Sequence, residues 1–168
     1  MKVLYACCYK ADLERDDIVY VDIIPSLVKS KGEYICCDIR NVDFNEYDII
    51  IATPPCNYYS RANYRRETSE YSQRTKDLLP LCINKAYATG KPFLVENVRN
   101  STYMYNLDIL KDVMIIPYGR HTYFTNVIFN INEAEQINEN IQNRSGTNRQ
   151  GGYNVDSVIK VFMKSLQK

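Results

Sequence analysis

Two short stretches of the sequence hold residues that could do chemistry. In Ala52-Thr53-Pro54-Pro55-Cys56-Asn57-Tyr58-Tyr59-Ser60 a cysteine follows two prolines. Proline fixes its own φ and restricts the residue before it, so the backbone there is stiff. Rigid placement is what a nucleophilic thiol requires. A turn whose cysteine merely packs is the other reading. In Phe93-Leu94-Val95-Glu96-Asn97-Val98 a carboxylate ends an apolar run. A buried acid is costly unless it is paired or functional. A carboxylate that caps a neighbouring helix is the alternative here. A third stretch, Tyr58 to Arg74, interleaves Arg61, Arg65, Arg66 and Arg74 with Tyr58, Tyr59, Tyr64 and Tyr71. Arginine for phosphate and tyrosine for stacking is a nucleic-acid combination. In a chain with 15 tyrosines it also reads as a solvated loop.

Other chemistries find less support. The six cysteines include two adjacent pairs, Cys7-Cys8 and Cys36-Cys37, at the ends of expected strands. Neighbours in a strand point to opposite faces, so neither pair serves one site easily. No Cys-x-x-Cys occurs and the sole histidine is His121, which argues against zinc. Buried free thiols are the expectation, and His121 reads as a structural histidine.

The elements that must hold these residues follow from apolar patterning. Lys2–Cys7, Ile18–Asp22, Tyr34–Cys37, Tyr47–Ala52 and Phe93–Glu96 read as strands. The run Asp48–Ala52 is continuous rather than alternating, as in a strand buried on both faces of a parallel sheet. Pro25-Ser26 looks like the start of a short helix that Gly32 closes. Thr75–Ala88 has helical spacing, with Pro80 inside it as a kink or early turn, and Gly90 and Pro92 end it. Val113–Ile116 and Tyr123–Phe129 read as two strands joined through Pro117-Tyr118-Gly119. Residues 130–152 read as a loop or weak helix, and Val155–Leu166 as a closing helix. Strands alternating with helices predict an α/β sandwich with a mostly parallel sheet and helices on both faces. Ligands of such sheets bind beyond the carboxyl ends of the strands. That rule points to Cys7–Lys10, Asp22, Asp38, Pro54–Asn57 and Glu96–Val98.

Composition sets the outer bounds. The 168 residues are 45% hydrophobic and 24% charged, with 21 Lys+Arg against 20 Asp+Glu. That fits one globular domain over residues 1–168 and argues against an overall basic coat. No apolar run is long enough for a bilayer and no signal peptide is evident, so a cytoplasmic protein without membrane partners is expected.

A Pro-Pro-Cys loop after one strand and Glu-Asn-Val ending another resemble the DNA cytosine-5 methyltransferase family, most closely its small phage-encoded members. The order of other segments agrees. Val21-Asp22-Ile23 resembles the strand end that holds the cofactor ribose, and Cys37-Asp38-Ile39-Arg40 the acid that meets the adenine. Gly119-Arg120-His121-Thr122-Tyr123-Phe124 resembles the later arginine-bearing segment. Gln150–Val155 resembles the segment that closes the cofactor pocket before the last helix. The resemblance implies a Rossmann-like methyltransferase sandwich using S-adenosylmethionine on cytosine in DNA, within the host cytoplasm if phage-encoded. Cys56 would be the nucleophile, its thiol pKa lowered by cations such as Arg61, with Glu96 the acid and Arg120 steadying the base or the cysteine loop. Tyr5, Cys7, Asp22, Ile23, Asp38, Ile39, Pro54, Asn154 and Val155 would meet the cofactor. Asn57, Ser60, Arg61, Arg65 and Arg66 would meet DNA.

The sequence departs from that pattern twice. Ala6-Cys7-Cys8-Tyr9-Lys10 stands where the family carries a glycine-rich turn. A loop over 130–152 replaces a much longer target-recognition domain, so specificity is slight or a partner protein supplies it. The first departure keeps open a catalytically degenerate protein that binds nucleotide or DNA, serving a phage against host defence. A third reading applies the same chemistry to a cytosine nucleotide.

Overall fold

The computed structural model describes residues 1–8, 13, 15–24, 31–60, 62–99, 112–134 and 155–167. Seven strands form one sheet: β1 Val3–Ala6, β2 Ile18–Asp22, β3 Glu33–Cys36, β4 Ile49–Ala52, β5 Phe93–Val98, β6 Met114–Tyr118 and β7 His121–Thr125. Their order is β3-β2-β1-β4-β5-β7-β6. Neighbours from β3 to β5 pair in parallel, and β7 runs antiparallel to both β5 and β6. Helices α1 Glu70–Thr75, α2 Leu78–Ala88 and α3 Val155–Ser165 accompany it. One apolar core lies between the sheet and α2, and a second between the sheet and α3. This is the Rossmann-like α/β sandwich, its sheet mostly parallel with helices on both faces, that the sequence led us to expect.

The continuous apolar run at β4 is explained by its place between β1 and β5, buried along its whole length. Its residues alternate between the two cores, with Ile50 and Ala52 toward α2 and Ile49 and Ile51 toward α3. The adjacent cysteines divide likewise: Cys7 packs on the α2 side and Cys8 on the α3 side. All six cysteines are free. Burial was expected of the two adjacent pairs, but of those four only Cys8 is buried and Cys36 is exposed; Cys82 is buried and the loop residue Cys56 is exposed. Cys36 lies on an edge strand, which no further strand covers.

Several element ends differ from the sequence reading. The helix expected over Thr75–Ala88 begins only at Leu78, with Pro80 in the first turn of α2, and α1 precedes it within the stretch read as polar and aromatic. In a first turn a missing N–H costs least. The carbonyl that this N–H would have reached, that of Lys76, accepts the Tyr59 hydroxyl instead. Gly90, at φ +67°, ends α2 as expected. Pro117 lies inside β6, not in a turn, since an edge strand tolerates a residue without an N–H. The turn is Gly119-Arg120, with Gly119 at φ +57° as tight two-residue hairpins need. β7 therefore ends at Thr125 rather than Phe129. The helix expected from Pro25-Ser26 and most of the 130–152 loop lie outside the described residues. Gly32 has a steric role of its own: a Cβ there would sit 2.2 Å from the Ile18 carbonyl oxygen.

Candidate active site

Strand register brings the chemistry-bearing residues into one row. Ala6, Val21 and Ala52 pair across β1, β2 and β4, and Ala52 pairs with Val95 of β5. The next residue along each strand direction is Cys7, Asp22, Thr53 and Glu96. Two backbone bonds extend the ladder into this row, from Cys7 N–H to Val21 O at 2.7 Å and from Thr53 N–H to Ala6 O at 3.0 Å. Parallel strands thus deliver a thiol, a carboxylate, a hydroxyl and a second carboxylate to one sheet edge, where ligands of open α/β sheets bind.

Cys56 stands just beyond this row on a braced loop. Its carbonyl accepts the N–H groups of Tyr59 at 3.0 Å and Ser60 at 2.8 Å. The Pro54 carbonyl accepts Asn97 Nδ2 at 3.0 Å. Asn97 is fully buried, and its Oδ1 accepts the Val98 N–H at 2.9 Å. One asparagine side chain therefore ties the end of β5 to the Cys56 loop. Cys56 is exposed as a residue, yet its surroundings desolvate the thiol. That desolvation, and then the Glu96 charge, push the thiol up. The expected lowering is thus corrected: a carboxylate faces this thiol, and Arg61 lies outside the described residues.

Glu96 is nearly buried, its side chain 12% exposed, and its Oε1 lies 2.5 Å from His121 Nδ1. In the β5–β7 pairing Glu96 faces Tyr123 while His121 faces Val98, two residues along, so acid and imidazole meet diagonally across the ladder. Arg120 was expected to steady the base or the cysteine loop. It lies in the β6–β7 turn and is exposed, and His121 is the residue that touches Glu96. The Tyr5 and Tyr123 phenols are pushed well up, first by burial, and both feel the Glu96 charge.

The residues expected at the cofactor fall into distinct groups. Cys7 adopts φ +55°, a left-handed conformation that favours glycine. Its carbonyl accepts Thr53 Oγ1 at 2.8 Å, and its thiol meets that of Cys82, which with burial raises it well above its ordinary value. Asp22 accepts the Ile24 N–H at 3.1 Å at the mouth of the row, and Ile23 is exposed beside it. Asp38 caps its own 3-10 turn and pairs with Arg40 Nη1 at 3.0 Å. Arg40 in turn reaches Asp77 at 2.8 Å and the Arg74 carbonyl at 2.9 Å, linking Asp38 to the α1–α2 junction. Tyr5 and Ile39 are core residues, at 2% and 4% exposure, and Pro54 is also buried. Val155 opens α3, partly buried in the core on that side. Asn154 lies outside the described residues.

Among residues expected at DNA, Asn57 and Arg65 are exposed and Ser60 is half-buried. The Arg65 guanidinium stacks 5.5 Å from the ring of Tyr64, itself 84% exposed. Arg66 turns inward: its Nε donates to the Asn63 carbonyl at 3.1 Å and Nη2 to that of Ser60 at 2.9 Å. It clamps the loop through these two carbonyls. Thr53 and Asn97, to which sequence reasoning gave no role of their own, and His121, read as a structural histidine, belong to this edge. Asn97 could have been noticed inside Glu-Asn-Val. Nothing in the sequence pairs His121 with Glu96.

Among the described residues, no three His, Cys, Asp or Glu side chains gather as a metal site needs. No described helix is long and apolar enough to cross a membrane. A hollow of about 370 Å³ lies at the far end of α3, lined by Phe129, Glu133 and Lys164 among others, and holds none of the expected site residues.

No protein-family model matches the chain, and no curated protein matches it. One similar solved structure is described as the DhpI-SAM-HEP complex. It is 8% identical, with 83% of this chain and 69% of that one covered at a TM-score of 0.29. A likeness this slight carries no argument. The fold assignment rests on strand order and direction.

Proposed function

We propose that the chain is an S-adenosylmethionine-dependent methyltransferase acting on carbon 5 of cytosine in DNA. One observation carries the reading: a rigidly looped cysteine and a nearly buried glutamate stand together at the ends of adjacent parallel strands, tied by the Asn97–Pro54 bond. Carbon 5 of cytosine is not nucleophilic by itself. Addition of the Cys56 thiolate to carbon 6 forms a carbon–sulfur bond while ring nitrogen 3 takes a proton from Glu96. The resulting enamine is nucleophilic at carbon 5. Bound S-adenosylmethionine would supply the methyl group that this carbon accepts. Loss of the carbon-5 proton to base then breaks the Sγ–carbon 6 bond, and nitrogen 3 returns its proton.

The row of strand ends suits such a cofactor. Asp22 offers a carboxylate for ribose hydroxyls, and Cys7 keeps the backbone conformation that a glycine turn would give. Asp38 would meet the adenine beside Arg40. The electrostatics also agree with the chemistry. Glu96 must be protonated to donate, and a protonated Glu96 no longer adds its charge to the desolvation that holds the Cys56 thiol up. Arg65 and Tyr64 would meet phosphate and base, and a duplex target would have to be flipped out.

A cytosine-containing oligonucleotide carrying 5-fluorocytosine tests the reading, since fluorine cannot leave as a proton does and the adduct stays covalent. With S-adenosylmethionine, the wild-type protein should form a denaturant-stable adduct and Cys56→Ala should form none. Oligonucleotide binding without any adduct would favour the second reading, a protein of this fold that binds nucleic acid without catalysis. That reading draws on the raised Cys56 thiol and on cysteine in the first turn.

A further inference from the structure

We infer that His121 is a positioning residue that orients Glu96 and loads its proton, so that the pair, and not Glu96 alone, sets the pH range of the site. The inference rests on the function proposed above and adds its regulation. Both side chains project from paired strands rather than loops, and Nδ1 lies 2.5 Å from Oε1. One carboxyl oxygen is thereby held by the imidazole.

The charged and titratable groups around the pair come from every neighbouring element. Tyr5 on β1, Cys56 after β4 and Tyr123 on β7 each feel the Glu96 charge. Tyr118 on β6 and Asp156 on α3 act in turn on Tyr123. Cys56, Tyr5 and Tyr123 are all shifted upward, toward their neutral forms. Among the described residues, His121 is the base in ion-pair contact with Glu96. The side chains of Arg99 and Arg120 lie elsewhere: Arg99 Nη1 donates to the Gly119 carbonyl and Arg120 is exposed. Histidine is also the side chain suited to gain or lose a proton near neutrality.

Proton counting then gives the sign. With neutral His121 donating Nδ1–H to a carboxylate, Glu96 has no proton for ring nitrogen 3. One further proton on the pair can reside on the imidazole or on the carboxyl, and in the second form Glu96 can give it to the base. Methyl transfer should therefore fall as pH rises and the pair loses that proton.

The test has two independent arms on the full chain. His121 is the sole histidine, so its ring nitrogens give unambiguous NMR signals in histidine-labelled protein. A short bond to a carboxylate places the Nδ1–H proton far downfield, and Glu96→Gln should move it back; an unmoved signal overturns the pairing. In the second arm, His121→Asn keeps an N–H donor near the Nδ1 position but cannot titrate. Its kcat should drop roughly tenfold or more with KM within about twofold, and the fall in rate should move to lower pH, where Glu96 alone loses its proton. Wild-type kcat with the same pH profile would overturn the inference. A downfield proton sensitive to Glu96→Gln in a protein that never transfers methyl groups upholds the pairing and overturns the proposed function.

Discussion

At position 56 a thiol meets a carboxylate rather than a cation, and this has a measurable sign. Removing a nearby negative charge lowers a thiol pKa. Alkylation of Cys56 by iodoacetamide near neutral pH should thus accelerate in Glu96→Gln, by roughly threefold to tenfold. Cys36, the other exposed thiol, is first replaced by serine so that Cys56 is read alone. An unchanged rate would mean that the Glu96 charge does not reach the sulfur. Position 7 offers a second test. A side chain in the left-handed region costs about 1–2 kcal/mol. Cys7→Ala keeps that strain and Cys7→Gly relieves it, so urea unfolding should find the glycine variant more stable than the alanine one by about 1 kcal/mol. Equal stabilities would show that the loop holds no strain. Cys56 and Glu96 were legible as single residues because proline stiffness and the cost of a buried acid are local facts. Their partners were not. Asn97, Thr53 and His121 act through contacts between strands, and no spacing in the chain records that His121 comes beside Glu96.

Among the elements, the α1–α2 junction shows how local rules combine. Pro80 deprives the Lys76 carbonyl of its helical donor and Tyr59 supplies one from the cysteine loop. Tyr59→Phe should cost about 1 kcal/mol by chemical denaturation. Combined with Pro80→Ala, which restores an N–H near that carbonyl, the same substitution should cost less. Full additivity would show that the two donors do not share the carbonyl. The junction is thereby coupled to the loop that carries Cys56. Central strands were read well from sequence because burial on both faces leaves a continuous apolar run, as in Ile49–Ala52. Boundaries failed where two residue types allow alternative placements. Pro80 fits either a break or a first turn, and Pro117 either a turn or an edge strand. Tertiary context chose between them.

At the scale of the whole molecule, net charge near balance means that the proposed nucleic-acid binding would fall to a local surface. Arg65, exposed and stacked on Tyr64, and Arg66, turned inward, should behave differently although they are neighbours. Arg65→Ala should weaken oligonucleotide binding and lower the slope of log K against log salt by about 1. Arg66→Ala should chiefly lower thermal stability, because the Asn63 and Ser60 carbonyls each lose a donor, although Ser60 keeps the Asn63 N–H. An unchanged slope for Arg65→Ala would remove that face from the interface. The α/β class was legible from alternating strands and helices. The strand order was not, since pairing across the sheet leaves no mark on the chain.

The left-handed backbone at Cys7 also has a reading in the genetic code. Cysteine and glycine codons of the same third base differ only at the first base. A single nucleotide change therefore separates this loop from the glycine its backbone favours. Random mutagenesis reaches that exchange readily, and competition under heat would weigh relief of the backbone at position 7 against loss of the thiol contact with Cys82.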